Sequence, residues 1–455
     1  DVTVDDELLR GYIRDLRQLL GDTAASPRLI ETVPKRGYRF LPEVVSEVSE
    51  VESRSAQRPV ARAAGPAREP IRVGIVHSLT GMMAWTETPV VDATVLAIEE
   101  INERGGIQGR PVEAVIADGQ SNETTFAEQA ERLIETERVA ALFGCWTSAC
   151  RKAVLPIVER HDHLLFYPVQ YEGLEESRNI VYTGAAPNQQ IIPAVRWTFG
   201  FLRARRFFLV GWESIYSCAA HEIIRDEIAA LGGEIVGEAR LRPDGTDVPK
   251  VVRRLSASKP DVIINSTVGD LNVLYSRVLR AAGVTAEKVP TLYLSVSEIE
   301  LLSLSARDAQ GDYAAWNYFQ TLERPENRAF VNRFRARYGV QRVLADPMEA
   351  SYIAVHLWAQ AAESADAADS AAVREAVRHQ TFNAPEGPVR VDSENQHTWK
   401  TMRLGRITAD GQFETIWSSE RPIRPEPFPT SRSRDKWTAF LAGCHREWGG
   451  RWTKA

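Results

Sequence analysis

The sequence predicts an α/β protein built on two parallel sheets, each wrapped by helices, behind a short basic segment. Three observations carry this prediction. From residue 72 onward, apolar runs of strand length alternate with stretches of helical apolar spacing, the signature of βα units. The alternation restarts after Asn188-Gln-Gln190, and right-handed crossovers turn each series into a sheet of its own. At 455 residues the chain also exceeds what one hydrophobic core usually supports.

The elements follow in order. Thr3 or Asp5 can cap a helix reaching about residue 20, with Leu9, Ile13, Leu16 and Leu20 on one side and Arg10, Arg14 and Arg17 on another. Gly21-Asp22 stops it. Segments 28–33 and 38–40 flank the turn Pro34-Lys-Arg-Gly37 and read as a β-hairpin with a basic tip. Residues 44–70 are rich in Pro, Ala and Arg without apolar periodicity and are expected to be a flexible linker. Strands are then expected at 72–76, 112–116 and 139–143, with a helix at 93–104 and another before the third strand. Gly144 to Ser148 turn into a helix through Val154 and Val158, and Leu164-Leu-Phe166 is a further strand. The second series places strands at 206–210, 234–236, 261–265 and 292–294 and a helix at 219–231. A long helix at 346–365 and short strands over 389–417 complete the chain.

The richest chemistry lies in Phe143-Gly-Cys-Trp-Thr-Ser-Ala-Cys-Arg-Lys152. A hydroxyl-rich turn between a strand and a helix N-terminus offers backbone N–H groups and Ser/Thr oxygens to a small polar ligand. The loop after the next strand adds Tyr167, Gln170 and Tyr171, and aromatic walls with a few polar groups suit a small-molecule cleft. Spacing alone fits equally a capped helix beside an aromatic cluster. An enzyme is not expected: Ser148, His161 and Asp118 could be drawn as a triad, but no Gly-x-Ser-x-Gly elbow is present. No cofactor and no metal are expected either, because His161 and His163 flank Asp162 in a polar turn. Cys145, Cys150, Cys218 and Cys444 lack metal-ligand spacing and are expected as isolated reduced thiols.

A net charge of −6 argues against nucleic-acid binding by the molecule as a whole, though not by a small basic module. The opening Asp1-Val-Thr-Val-Asp-Asp6 is not a secretory signal, and no stretch approaches the roughly 20 apolar residues of a membrane span. A cytoplasmic protein without membrane contact is therefore expected. The first residue is not Met, so the sequence is expected to begin inside a longer chain.

From about residue 71 to about residue 441 the chain resembles the type-I periplasmic binding proteins, and within them the branch that binds urea and short-chain amides. The motifs are Gly144-Cys-Trp-Thr-Ser148, Arg151-Lys-Ala-Val154, Tyr167-Pro-Val-Gln-Tyr-Glu-Gly173, Asn179-Ile-Val-Tyr182, Ala186-Pro-Asn-Gln-Gln190, Ala315-Trp-Asn-Tyr-Phe319, Asp346-Pro-Met-Glu-Ala350 and Ala384-Pro-Glu-Gly387. The resemblance implies two lobes facing across a cleft. It implies that Ser148 and its turn, with Thr147, bind a carbonyl or amide. Trp146 and Tyr167 would wall the pocket, Val169 and Gln170 would line its floor, Asp270 would accept from N–H₂, and Trp316 would complete the wall. The branch usually shows an acid followed by Tyr after the strand ending at Val210. Here Glu213 keeps the acid and Ser214 replaces the ring, which enlarges the site unless Trp212 or Tyr216 fills it. The implied ligand is urea or an amide bulkier than acetamide.

Residues Leu16-Arg-Gln-Leu-Leu-Gly-Asp22 and Ile30-Glu-Thr-Val-Pro-Lys-Arg-Gly-Tyr-Arg-Phe40 resemble the C-terminal half of the winged-helix domain of response-regulator-type transcription factors. That resemblance implies that Arg10, Arg14 and Arg17 face DNA and that Lys35, Arg36 and Arg39 sit at or beside the wing. The family's leading strands and first helices are missing before Asp1, so truncation is expected. The expected organisation is a partial winged helix at 1–43, a linker at 44–70, a ligand-binding domain at 71–430 and a tail at 431–455. Lobe 1 would comprise about 71–188 and 320–385, and lobe 2 about 189–319 and 386–430. Together these imply a homodimeric transcriptional regulator sensing a small neutral ligand. The rivals are a urea or amide receptor of an ABC transporter and a cytoplasmic amide sensor acting through a protein partner.

Overall fold

The computed structural model describes residues 13, 14, 17, 22–24, 26–33, 37–41, 69–304 and 306–453. The chain divides into two units, residues 1–65 and 66–455.

In the first unit, β1 (Ile30–Val33) pairs antiparallel with β2 (Gly37–Phe40), from Ile30 opposite Phe40 to Val33 opposite Gly37. Asp22 organises the approach to the hairpin. Its carboxylate accepts from the backbone N–H groups of Arg28, Leu29 and Ile30 at 2.8, 3.1 and 2.8 Å. Those donors, Arg28 foremost, hold its pKa down to about 2. Arg17 corrects one expectation. It is only 9% exposed and donates to the Ile30 carbonyl (2.7 Å) and to Thr32 Oγ1 (3.0 Å), so it braces the hairpin and does not face DNA. Arg39 is exposed and bonds Glu31 across the ladder at 2.9 Å. Arg14 is exposed on a helical segment. Arg10, Lys35 and Arg36 lie outside the described residues.

In the second unit, β3 (Ile71–His77), β4 (Val112–Asp118), β5 (Leu142–Gly144), β6 (Leu165–Tyr167) and β7 (Ile180–Tyr182) form a wholly parallel sheet in the order β4-β3-β5-β6-β7. Its strands are continuous apolar runs because parallel strands are buried on both faces; Val73, Ile75 and Val76 are fully buried. Helices α1 (Ala84–Glu103), α2 (Glu123–Glu135) and α3 (Ser148–Arg160) connect the first strands.

The second sheet contains β8 (Arg206–Trp212), β9 (Glu234–Leu241), β10 (Val262–Asn265), β11 (Thr291–Tyr293) and β12 (Tyr313–Trp316), with α4 (Ile215–Leu231), α5 (Val248–Ser258) and α6 (Asp270–Ala281) between them. After α7 (Asp346–Ser364) and a small antiparallel sheet of β13 (Thr381–Ala384), β14 (Gly387–Val391) and β15 (Thr398–Trp399), the chain adds β16 (Arg403–Ile407) and β17 (Phe413–Ser418). These two join the second sheet antiparallel, giving the order β17-β16-β12-β11-β10-β8-β9. The purely parallel expectation for this lobe thus holds for five strands only.

The chain crosses between the lobes at 183–190, 317–324 and 400–402, and side chains tie the crossings together. Gln189 Nε2 donates to the carbonyls of Thr398 (2.9 Å) and Ile423 (2.8 Å). Asn317 Nδ2 donates to those of Gln189 (3.3 Å) and Thr401 (3.1 Å). Residues 434–447, assigned by sequence to a tail, form α8 (Arg434–Glu447), which buries Trp437 completely against the second lobe's core.

Candidate functional site

The strand-to-helix turn at 144–148 is built by backbone conformation. Gly144 has φ +151°, and a Cβ there would come within 2.0 Å of the Val76 carbonyl, so only glycine lets β5 close on β3. Cys145 follows with φ +65°. It is disulfide-bonded to Cys150 in the first turn of α3. Thr147 caps α3, its Oγ1 accepting from Cys150 N at 3.1 Å. The N–H groups of Ser148 and Ala149 precede the first intrahelical bond, Arg151 N to Thr147 O, and so remain open to a ligand oxygen.

Ser148 and Ala149 line a small cavity between the lobes. Lobe 1 lines it with Trp146, Thr147, Ser148, Ala149, Val169 and Gln170, and lobe 2 with Trp212, Ser214, Ile215, Tyr216, Val268 and Ser295. Thr453 completes the wall. Among the described residues, no Asp, Glu, Lys or Arg lines it. Three buried polar atoms of the lining lack a partner there: Gln170 Oε1, the Tyr216 hydroxyl and Trp212 Nε1. Gln170 spends its Nε2 on lobe 2, donating to Leu294 O (3.3 Å) and Ser295 Oγ (3.4 Å). Tyr216 lies beside Ser295 and Gln170 without completing a bond to either, and burial pushes its phenol pKa up.

Behind the lining sits a buried ionic network. Ser148 Oγ donates to the Glu172 carboxylate and accepts from Arg151 Nη1 at 3.2 Å. Arg151 pairs with Glu172 (3.1 Å) and Glu175 (2.7 Å), and Lys152 pairs with Glu175 (2.9 Å). The Arg151 guanidinium also lies over the rings of Tyr167 and Tyr171, 4.8 and 4.4 Å from their centroids. Two acids thus meet two bases. Although burial opposes ionisation of Glu175, Arg151 and Lys152 hold its carboxyl far below the usual range.

Seven of the residues expected at the site therefore meet at one cavity: Trp146, Thr147, Ser148, Val169, Gln170, Ser214 and Tyr216. Four do not. Tyr167 packs behind the wall, donating its hydroxyl to Trp146 O at 2.7 Å. Glu213 sits at a bend closed by the bond from Ser214 N to Trp212 O (2.7 Å); its neighbours Trp212 and Ser214 line the cavity and it does not. Asp270 is exposed in the first turn of α6, and Val268 reaches the cavity in its stead. Trp316 is buried in a separate apolar cluster with Nε1 on Val296 O at 2.7 Å. Ser148, His161 and Asp118 form no triad: His161 bonds Glu131 at 2.8 Å, and Asp118 accepts from Leu79 and Thr80.

The cysteines depart from expectation as well. Beside the Cys145–Cys150 bridge, Cys218 on α4 and Cys444 on α8 are free thiols, with the neighbouring Cys444 and burial pushing Cys218 up. Cys145 and Cys150 meet within one turn, and distant segments bring Cys218 and Cys444 near each other, where spacing suggested isolated residues. Sequence reasoning also missed Ala149, Ile215, Val268, Ser295 and Thr453. Ser295 follows a strand's C-terminal end, a position that could have flagged it. Thr453 carries no such signal.

A family model described as "Periplasmic binding protein domain" matches residues 71–434, and one described as "Transcriptional regulatory protein, C terminal" matches residues 1–40. A limonene hydroxylase of Geobacillus stearothermophilus is 33% identical over 128 residues, 28% of this chain and 23% of that protein. The chain thus spans about a quarter of the length of the first curated relatives it matches. The solute-binding protein of an ABC transporter from R. palustris, in complex with 4-hydroxybenzoate, superposes with a TM-score of 0.72 at 20% identity, covering 78% of this chain and 98% of that one. The branched-chain amino acid binding protein LivJ of Streptococcus pneumoniae, in complex with isoleucine, gives a TM-score of 0.69 at 21% identity over 78% of this chain and 100% of that one. These structures share the fold.

Proposed function

We propose, for a chain that belongs to the periplasmic binding protein domain family, a ligand-responsive transcriptional regulator whose two-lobe domain binds urea or a short-chain amide. The observation that carries the ligand class is a lining without ionised side chains that nevertheless holds unmatched donors and an unmatched acceptor. A carbonyl oxygen fits the Ser148 and Ala149 amides, and an N–H₂ group fits Gln170 Oε1. The related structures hold isoleucine and 4-hydroxybenzoate, both carboxylates. An ammonium group in this cavity would meet no lining carboxylate. A ligand carboxylate would meet the two amides but no Lys or Arg in the lining, and a Ser148 hydroxyl already donating to Glu172. Leaving a buried group unpaired costs about 1–3 kcal/mol, which disfavours both charged classes.

The regulatory half rests on the match of residues 1–40 to a transcriptional-regulator module and on exposed Arg14 and Arg39. Closure of the lobes would alter the presentation of paired DNA-binding modules by no more than the ligand's differential affinity for open and closed forms. The test is fluorescence anisotropy of the full-length protein with duplex DNA at low ionic strength, with and without acetamide. Binding that shifts with the amide supports the regulator, and absence of binding overturns it.

One observation favours a second reading, an exported receptor that delivers the same ligand to a transporter. The Cys145–Cys150 disulfide suits an oxidising compartment. Secretion of the full-length protein would decide for it.

A further inference from the structure

We infer that residues 448–453 form a strap across the mouth of the cavity, and that Thr453 on this strap selects the size of ligand admitted. The inference rests on the reading of this cavity as the ligand site. The strap begins where α8 ends. Gly449 (φ +66°) and Gly450 (φ +80°) take left-handed conformations and donate to the carbonyls of Arg446 (3.1 Å) and His445 (2.8 Å), which reverses the chain. The returning segment runs to the start of α4. Ile215 N donates to Trp452 O at 3.1 Å, and Thr453 pairs with Ser214 in an antiparallel bridge.

The strap also reaches lobe 1. The Lys152 ammonium lies 4.8 Å from the centroid of the Trp452 ring, which packs on His445 at 4.2 Å. Burial pushes the Glu123 carboxyl up, opposed by the charges of Arg451 and His445. One short segment therefore engages α4 of lobe 2 and α3 of lobe 1, and its Thr453 lines a cavity together with Glu123 and Phe126 of α2.

Two helices open at the cavity with hydroxyl caps, Thr147 on α3 and Ser214 on α4. The strap occupies the first amide of α4, whereas those of α3 stay open, so a ligand oxygen is directed to lobe 1. Thr453 lines this cavity and also a second cavity bounded by Met82, Met83 and Phe126. It stands at the partition, with Trp212 and Thr147 beside it. A ligand that outgrows the first cavity toward the second meets Thr453, and its length determines whether it fits.

The test uses the full chain with Thr453→Gly and Thr453→Trp, titrated with acetamide, butyramide and isoleucine. The ratio of butyramide to acetamide affinity should rise about tenfold or more in Thr453→Gly, because one methylene in a tight pocket is worth at least that factor. Binding should be lost in Thr453→Trp. Ratios within twofold of wild type in both variants overturn the strap. If the wild type binds no amide, the ligand reading fails while the strap is still judged, by hydrogen exchange in Trp452→Ala. Faster exchange of the amides at 148–149 and 215 supports it, and unchanged exchange overturns it.

Discussion

The Ser148 hydroxyl donates to the carboxylate of Glu172, a fully buried group that also pairs with Arg151. Ser148 therefore presents a spent proton to the cavity, and the open donors of its turn are backbone amides. Ser148→Ala should destabilise the protein by about 1–3 kcal/mol through the acceptor left unpaired on Glu172. Ligand affinity should fall by no more than roughly 1 kcal/mol, because the amides remain. Guanidinium denaturation and calorimetry on the same variant separate the two effects.

Arg151 neutralises two buried acids at once. Arg151→Met should destabilise by about 3–5 kcal/mol, the penalty for removing one partner of a buried pair. Lys152 remains to pair with Glu175, so Glu172 is left most exposed to the loss. The denaturation midpoint measures it.

Stability should fall as pH rises through neutrality. Glu298 is buried at a lobe crossing, its Oε1 accepting from Gln320 N at 2.8 Å and its Oε2 unpartnered among the described residues. Burial, with the nearby Asp346 and Glu300 charges, pushes its pKa up to about 8. A carboxyl with a folded pKa above its unfolded value near 4 keeps a proton that the unfolded chain has lost, so stability declines between pH ~4 and ~8. Glu298→Gln should flatten that decline in thermal melts at pH 5 to 8.5.

The Cys145–Cys150 bridge closes a short loop beneath the open amides of α3. Cys150→Ser should lower stability by about 2 kcal/mol, and dithiothreitol should do the same to the wild type but nothing further to the variant. An additional effect of the reductant on the variant would contradict this assignment.

The two arginines nearest the hairpin should behave differently. Arg39→Ala should weaken duplex binding and reduce the salt slope by about 1 if Arg39 contacts a phosphate. Arg17→Ala should instead loosen the hairpin, whose Ile30 carbonyl it holds. Salt-dependent titrations compared with melting curves distinguish the roles.

What was legible in the sequence was local. The 143–152 turn could be read because strand, cap and helix lie within ten residues, and Thr147 acts there as the cap that the pattern implies. Glu213 falls at a bend and Asp270 in the first turn of a helix, and which side chain of such a segment meets the cleft is decided by the tertiary placement of the turn, which the local sequence does not specify. Trp316 satisfies its own indole within lobe 2, a contact that no local pattern contains. The antiparallel β16 and β17, the Cys218–Cys444 contact and Thr453 all depend on chain segments returning over long separations.

Calorimetric titration of the full chain with urea, acetamide, butyramide, isoleucine and 4-hydroxybenzoate tests the central claim most directly. Saturable heat from the neutral compounds, with the two carboxylates silent, is the predicted result. Saturable heat from isoleucine or 4-hydroxybenzoate alone would contradict it.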